Sequence, residues 1–304
     1  MTRLFRLLCL ALLPWGGGAL ADPLDETPRL AVMSAFPPEW LALQEDLEGV
    51  TEHVVNGNRF LAGTLAGQDV VLFLSGISMV NAAMTTQLAL DHFEIEGIVF
   101  SGIAGGVDPD LAIGDVVVAE NWGQYLETVF ARETDGAFAI PPWMSSDFPN
   151  YGMMFTRAVG VVSEAAPDGE AKFWFESDPG YLEVAQQIAE AVVLEDCTPD
   201  NACLGEVPKI VVGGNGVSGA SFVDNAAYRD YVFQTFEARV LDMESAAVAH
   251  VAHANGVPFI AFRSLSDLAG GGAAENEMPA FLSLAATNSA AVVTAFLEAL
   301  PAPE

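Results

Sequence analysis

Apolar residues along this chain fall into two kinds of run. Short, mainly apolar runs occur at residues 29–35, 70–74 and 97–100, with further ones at 115–120, 209–212, 239–241 and 258–263. Such runs, too short for helices and lacking polar alternation, predict strands covered on both faces. Between them the apolar residues take helical spacing. In 39–47, Trp40, Leu43 and Leu47 fall on one face, which predicts a helix. Helices are also predicted over 81–92, 180–193, 226–235, 244–255 and 278–300. Buried strands alternating with helices predict an α/β fold, a three-layer sandwich around a mostly parallel mixed sheet. In that architecture ligands collect at the carboxyl ends of the strands. Residues 125–178 break the rhythm, being rich in Pro, Gly, Trp and Phe with weak periodicity. They are expected to form an insertion in a single domain over 22–304.

The amino terminus changes the picture. Arg3 and Arg6 precede an apolar run over 7–15, and Ala19-Leu20-Ala21 follows. These are the three parts of a secretory signal peptide. The expectation is cleavage after Ala21 and a mature protein, from Asp22, that is periplasmic or secreted. The run is too short to cross a bilayer, and no later stretch is expected to do so. About 280 residues then remain, within the range of one α/β domain.

Charge narrows the partners. There are 11 Lys plus Arg against 41 Asp plus Glu, a formal net charge of −30. Binding nucleic acid by phosphate neutralisation is excluded, since it needs clustered cations. Docking on anionic lipid is disfavoured on the same ground, and so are strongly anionic substrates such as nucleotides. Cys9 leaves with the signal peptide, whereas Cys197 and Cys203 sit close together in a loop. A pair in an exported chain predicts a disulfide. His250 and His253 are three apart on a helix, but nothing nearby completes a ligand set. No metal and no cofactor is implied.

Three strand-end loops carry candidate chemistry. Asp242-Met243-Glu244-Ser245 follows a strand and opens a helix; Glu244 is either a first-turn acid favoured by the helix dipole or a ligand for sugar hydroxyls, with Met243 beside it. Ser264-Leu265-Ser266-Asp267 ends a strand before a Gly-rich loop. Asp267 is either a turn residue or an acid able to protonate a leaving base. Ser34-Ala35-Phe36-Pro37-Pro38-Glu39 is the third loop. Glu39 alone reads as another first-turn acid, but facing Asp267 it completes the logic of glycoside hydrolysis, one carboxyl as acid on the leaving group and one as base on water. The loops 75–78 and 101–106 offer backbone N–H groups for an anion or for sugar oxygens. Neither loop has the phosphate-binding or dinucleotide pattern.

Together these segments resemble the nucleoside phosphorylase superfamily, most closely the methylthioadenosine/S-adenosylhomocysteine nucleosidases. The stretch from Leu241-Asp242-Met243-Glu244-Ser245 through Gly256-Val257-Pro258-Phe259 to Arg263-Ser264-Leu265-Ser266-Asp267 carries most of the likeness. Ser75-Gly76-Ile77, Ser101-Gly102-Ile103-Ala104-Gly105-Gly106 and Gly114-Asp115-Val116-Val117 support it. Gly213-Gly214-Asn215-Gly216-Val217-Ser218 and Phe222-Val223-Asp224-Asn225 also look like the exported branch that includes bark storage proteins. The resemblance implies that Asp267 protonates N7 of a purine while Glu39 orients water. It implies that Glu244 and Met243 hold the ribose, Phe222 stacks on the base and the Val223 backbone reads its edge. Ser266 stands beside the acid, and Phe36, Ile77 and Met278 would line the pocket for a 5′ substituent. It further implies a homo-oligomer.

Two departures bear on activity. Ala220 stands where nucleosidases usually carry an acid, and Ile103 where relatives often carry a hydroxyl residue. No Arg is evident near 75–78 or 101–106, where phosphorolytic relatives hold phosphate. An uncompensated dianion in so acidic a chain would be costly. The expected function is therefore hydrolysis of the N-glycosidic bond of purine nucleosides, including 5′-methylthioadenosine and S-adenosylhomocysteine. The alternatives are phosphorolysis, or a nucleoside-binding or storage protein without turnover. The joint presence of Glu39, Glu244 and Asp267 weighs against the last.

Overall fold

The computed structural model describes residues 23–272 and 275–302; the expected signal peptide, 1–21, lies outside them. Twelve strands make one sheet. In chain order they are β1 (Asp25–Ser34), β2 (Glu48–Val55), β3 (Asn58–Leu65), β4 (Gln68–Leu74), β5 (Phe93–Gly106), β6 (Val116–Val118), β7 (Asn121–Gln124), β8 (Trp174–Glu176), β9 (Ile210–Val212), β10 (Asn215–Ser218), β11 (Ala238–Asp242) and β12 (Phe259–Asp267). The helices are α1 (Pro37–Gln44), α2 (Met79–His92), α3 (Pro179–Ile188), α4 (Ala226–Phe236), α5 (Ser245–Asn255) and α6 (Met278–Ala299). The order across the sheet is β8-β7-β10-β11-β5-β1-β4-β3-β2, and β12, β6 and β9 branch from β5. The sheet is mixed. Neighbours β4, β1, β5 and β12 run parallel, while β2 and β3 fold back antiparallel on β4.

The core explains why these runs are strands. In β1, Ala31 and Met33 point to one face and Leu30 and Val32 to the other, all buried. β4 repeats the pattern with Val71 and Phe73 against Val70 and Leu72, and β12 with Phe259 and Ala261 against Ile260 and Phe262. Period-two side chains on a sheet covered on both sides leave no solvent face for a polar residue. Helices α2 and α5 cover one face, and α1, α3 and α6 the other. A third apolar cluster joins α4 to Tyr125, Val217, Val223 and Leu241 beneath the end of β11.

One expectation changes. Helix α6 is 22 residues long and apolar enough to cross a membrane by length and composition, against the reading that no stretch after residue 21 has that reach. Its Val292, Val293, Phe296 and Leu297 are instead fully buried against the sheet and α1. Residues 125–178, expected as an inserted subdomain or long loop, hold three small antiparallel pairs, 128–130 with 154–156, 132–134 with 137–139 and 159–161 with 170–172. They end in β8 at the sheet's edge. Cys197 and Cys203 are joined by a disulfide.

Candidate active site

Because β1, β4, β5 and β12 are parallel, Ser34, Leu74 and Asp267 all emerge on one side of the sheet, where β11 also ends in Asp242. A cleft of about 160 Å³ opens there. Phe36, Glu39, Ile77, Phe222, Val223, Met243, Glu244, Ser266, Asp267 and Met278 all line it. Every binding or catalytic residue expected from the sequence is thus brought to a single cavity. Asp242, Ser221 and Leu282 line it too; sequence reasoning did not assign them.

Glu39 sits in the first turn of α1, behind Pro37-Pro38, and is 2% exposed. One oxygen accepts the N–H groups of Ala35 and Phe36 at 3.1 and 3.0 Å, and the other accepts that of Ile103 at 2.9 Å. Burial pushes its pKa up, opposed first by the Arg263 charge and then by these three donors. Glu244 caps α5. Its Oε1 accepts the Ser78 N–H at 2.8 Å. Ser78 holds φ +81° to present that N–H, backbone strain of the kind that clusters at functional sites. Burial pushes the Glu244 pKa up to about 7, against the pull of Arg263 and with a further push from Asp242.

Asp267 ends β12 at 3% exposure. Its oxygens accept the Ser266 hydroxyl at 2.9 Å and the Ala269 N–H at 2.8 Å. Burial outweighs these donors and raises its pKa above the usual carboxylate value.

Arg263, given no role of its own in the sequence though it belongs to the stretch that carries the resemblance, organises the carboxylates. It is fully buried and stacks over Phe100 with its Cζ 4.0 Å from the ring centroid. Its Nε lies 2.8 Å from Asp242 Oδ2 and 2.9 Å from Ser245 Oγ, and its Nη2 lies 3.7 Å from Glu244 Oε2. Asp242 is further held by the Ser218 and Ser245 hydroxyls. Gly102 makes room for the guanidinium, since a Cβ there would lie 2.1 Å from Nη1.

This corrects two readings. An Arg does approach the 101–106 loop, with Nη1 donating to the Ile103 carbonyl at 3.4 Å, but it is committed to the protein's own carboxylates and does not line the cleft. Three N–H groups of the two loops are likewise taken: Ser78 by Glu244, Ile103 by Glu39, and Gly102 by Ser289. Among the described residues, four carboxylates and no Lys, Arg or His line the cavity. His250 and His253 lie elsewhere, bonded to Gln124 and Glu170. Among the described residues no group of His, Cys, Asp or Glu is arranged to hold a metal.

The sequence profile of the phosphorylase superfamily matches residues 29–298. A 5′-methylthioadenosine/S-adenosylhomocysteine nucleosidase of Tolumonas auensis is 30% identical over 277 residues, covering 90% of this chain and all of that protein. Bark storage protein B of Populus deltoides is 28% identical over 262 residues, covering 82% of this chain and 80% of that one. Among solved structures, the nucleosidase of S. pneumoniae with the transition-state inhibitor MT-ImmA superposes with a TM-score of 0.66 at 27% identity, covering 90% of this chain and 100% of that one.

Proposed function

This chain belongs to the phosphorylase superfamily, and from that premise and its cleft we propose that it hydrolyses the N-glycosidic bond of purine nucleosides. The observation that carries the reading is a cavity where a buried Asp267, its pKa raised by burial, and a backbone-clamped Glu39 line the same space with no cation among the described lining residues. A purine leaves poorly as an anion, so Asp267 gives its proton to N7 as the C1′–N9 bond breaks. A placed acid of this kind contributes roughly 10²–10⁴-fold. Water adds to C1′ and passes a proton to Glu39, which three N–H donors hold in place and whose affinity for a proton is raised by burial. Glu244 and Met243 hold the ribose hydroxyls. Phe222, 56% exposed without a ligand, stacks on the base, and the Val223 backbone reads its edge. Phe36, Ile77 and Met278 make an apolar pocket for the 5′ group. That suits 5′-methylthioadenosine and the thioether of S-adenosylhomocysteine, the substrates in the Tolumonas protein's name.

Hydrolysis is favoured over phosphorolysis because a phosphate dianion entering this cavity would meet carboxylates and find no free guanidinium. A storage or binding role is favoured by one observation, the likeness to a bark storage protein. The proposal extends to location and assembly: the Cys197–Cys203 disulfide suits an oxidising compartment, and half-exposed Ile77 and Phe222 offer a neighbouring subunit apolar surface at the rim.

The test is base release by purified mature protein from methylthioadenosine, adenosine and inosine, each with and without phosphate. Phosphate-independent release is expected. Release only with phosphate would establish a phosphorylase, and no release from any would leave the storage reading standing.

A further inference from the structure

One side chain outside the motifs ties three parts of the cleft together. The Asn276 amide nitrogen donates to Asp224 Oδ1 at 3.1 Å and to Asp267 Oδ1 at 3.5 Å, and its carbonyl oxygen accepts the Met278 N–H at 3.0 Å. A carboxamide is suited to this junction, with two donors for two carboxylates and an acceptor for the helix start. Each partner belongs to a different wall. Asp224 follows Phe222 and Val223 on the base side, Asp267 ends β12, and Met278 opens α6. The backbone draws the same walls together. The Asn225 N–H donates to the Ala269 carbonyl at 3.1 Å. Gly270 sits so tightly against that loop that a Cβ would lie 2.3 Å from the Asn225 nitrogen.

From this junction we infer that Asn276 is a positioning residue for Asp267, holding the acid in register with the base-side loop and with α6. The inference rests on Asp267 serving as the acid of the proposed hydrolysis. A donor to a carboxylate favours its ionised form, so Asn276 also opposes the burial that drives the Asp267 pKa upward. The Ser266 hydroxyl and Ala269 N–H donate to the same carboxylate and would remain without it. The other charges around Asp267 are Glu277 at the start of α6, Asp224 beyond Asn276, Glu39, Asp242 and Glu244 on the shared cavity wall, and Arg229 of α4. Arg229 packs against Gly271 and donates to the Gly106 carbonyl. Of these only Arg229 is positive, and it faces the backbone.

The test compares wild type with Asn276→Ala and Asn276→Asp, by the pH dependence of kcat and KM for base release and by carboxyl-carbon NMR titration. The Asp267 signal is assigned through Asp267→Asn. Asn276→Ala should lower kcat by up to about 100-fold, the cost of a small misplacement at a reacting centre, with little change in KM. Its alkaline limb should move to higher pH, because Asp267 keeps its proton longer once a donor to its ionised form is gone; the NMR midpoint should move the same way. Asn276→Asp adds a negative charge beside Asp267, so it should move the midpoint further and fail to restore kcat. A folded Asn276→Ala protein whose midpoint and alkaline limb match wild type overturns the inference. If that variant does not fold, Asn276→Ser, which can still accept from Met278 but cannot bridge both carboxylates, is read by the same criteria. If wild type releases no base, the hydrolase reading fails, while the NMR midpoint still decides what Asn276 does.

Discussion

Arg263 lies fully buried beside Asp242 and Glu244 and within the electrostatic reach of Glu39. An ion pair so deeply buried gains little over a well-packed apolar pair, but removing one partner leaves charges stranded. Arg263→Met should therefore destabilise the protein by about 3–5 kcal/mol, read from urea unfolding at neutral pH. A loss below about 1 kcal/mol, the scale of an exposed pair, would show that the carboxylates do not depend on it. Glu244 makes a prediction of opposite character. Its pKa rises from 4.5 when exposed to about 7 when folded, so the folded state binds the extra proton. Its stabilising contribution is complete below pH 4.5 and is lost as pH rises through about 7. Glu244→Gln should flatten that fall, a difference on the order of 3 kcal/mol across the window, measured as the pH dependence of unfolding free energy in both proteins. A parallel pair of curves would refute the assignment. The carboxylates themselves were legible in the sequence, because each stands at a strand end next to a helix start. Arg263 was not: at the end of an apolar run it reads as a strand terminus, and only tertiary packing puts it beside three acids.

At the scale of elements, the central strands and the six helices of the described residues were legible, because strands buried on both faces leave apolar runs and helices keep their spacing. The expected helix over 180–193 stops at Ile188, and Leu194 beyond it packs into the same apolar cluster as Ala185 and Ile188. The β2–β3 hairpin was missed although Asn56-Gly57 marks it, both residues taking the positive φ that a tight hairpin turn requires. β2 is an edge strand with mostly exposed residues, so no apolar run announces it. β7, β8 and β10 are three or four residues long, too short for a period to appear. The seam under the acid was equally illegible, since it depends on two loops more than forty residues apart meeting at Gly270. Gly270 and Gly67 both have positive φ, +86° and +81°, but a Cβ at Gly67 meets nothing within 4 Å. Alanine at either site should cost about 1–2 kcal/mol of left-handed backbone strain. Only Gly270→Ala should also lower kcat, because it pushes the Asp267 loop off the base-side loop. Equal activity in the two variants would mean that the seam does not position the acid.

At the scale of the whole molecule, a net charge of −30 with only 11 Lys plus Arg leaves most surface carboxylates without a partner, and self-repulsion opposes the compact state. Surface pairs such as Arg59 with Glu52 and Arg157 with Glu127 are too few and too exposed to offset it. Salt shortens the range of that repulsion from about 30 Å at 0.01 M to about 3 Å at 1 M. The melting temperature should therefore climb with sodium chloride over this range, most steeply at the dilute end where screening changes most. The cleft responds differently. Its four carboxylates are buried and screened little by salt, so KM for an uncharged nucleoside should stay nearly constant. A nucleoside 5′-monophosphate should remain a poor ligand even at 1 M, because the opposing charges are local and no lining cation is available to release. Calorimetry and turnover across one salt series separate the two effects. A melting temperature that falls with salt would mean that attractive surface pairs outweigh the repulsion. Monophosphate binding that recovers fully at high salt would mean that the long-range field, and not the cavity wall, excludes anions.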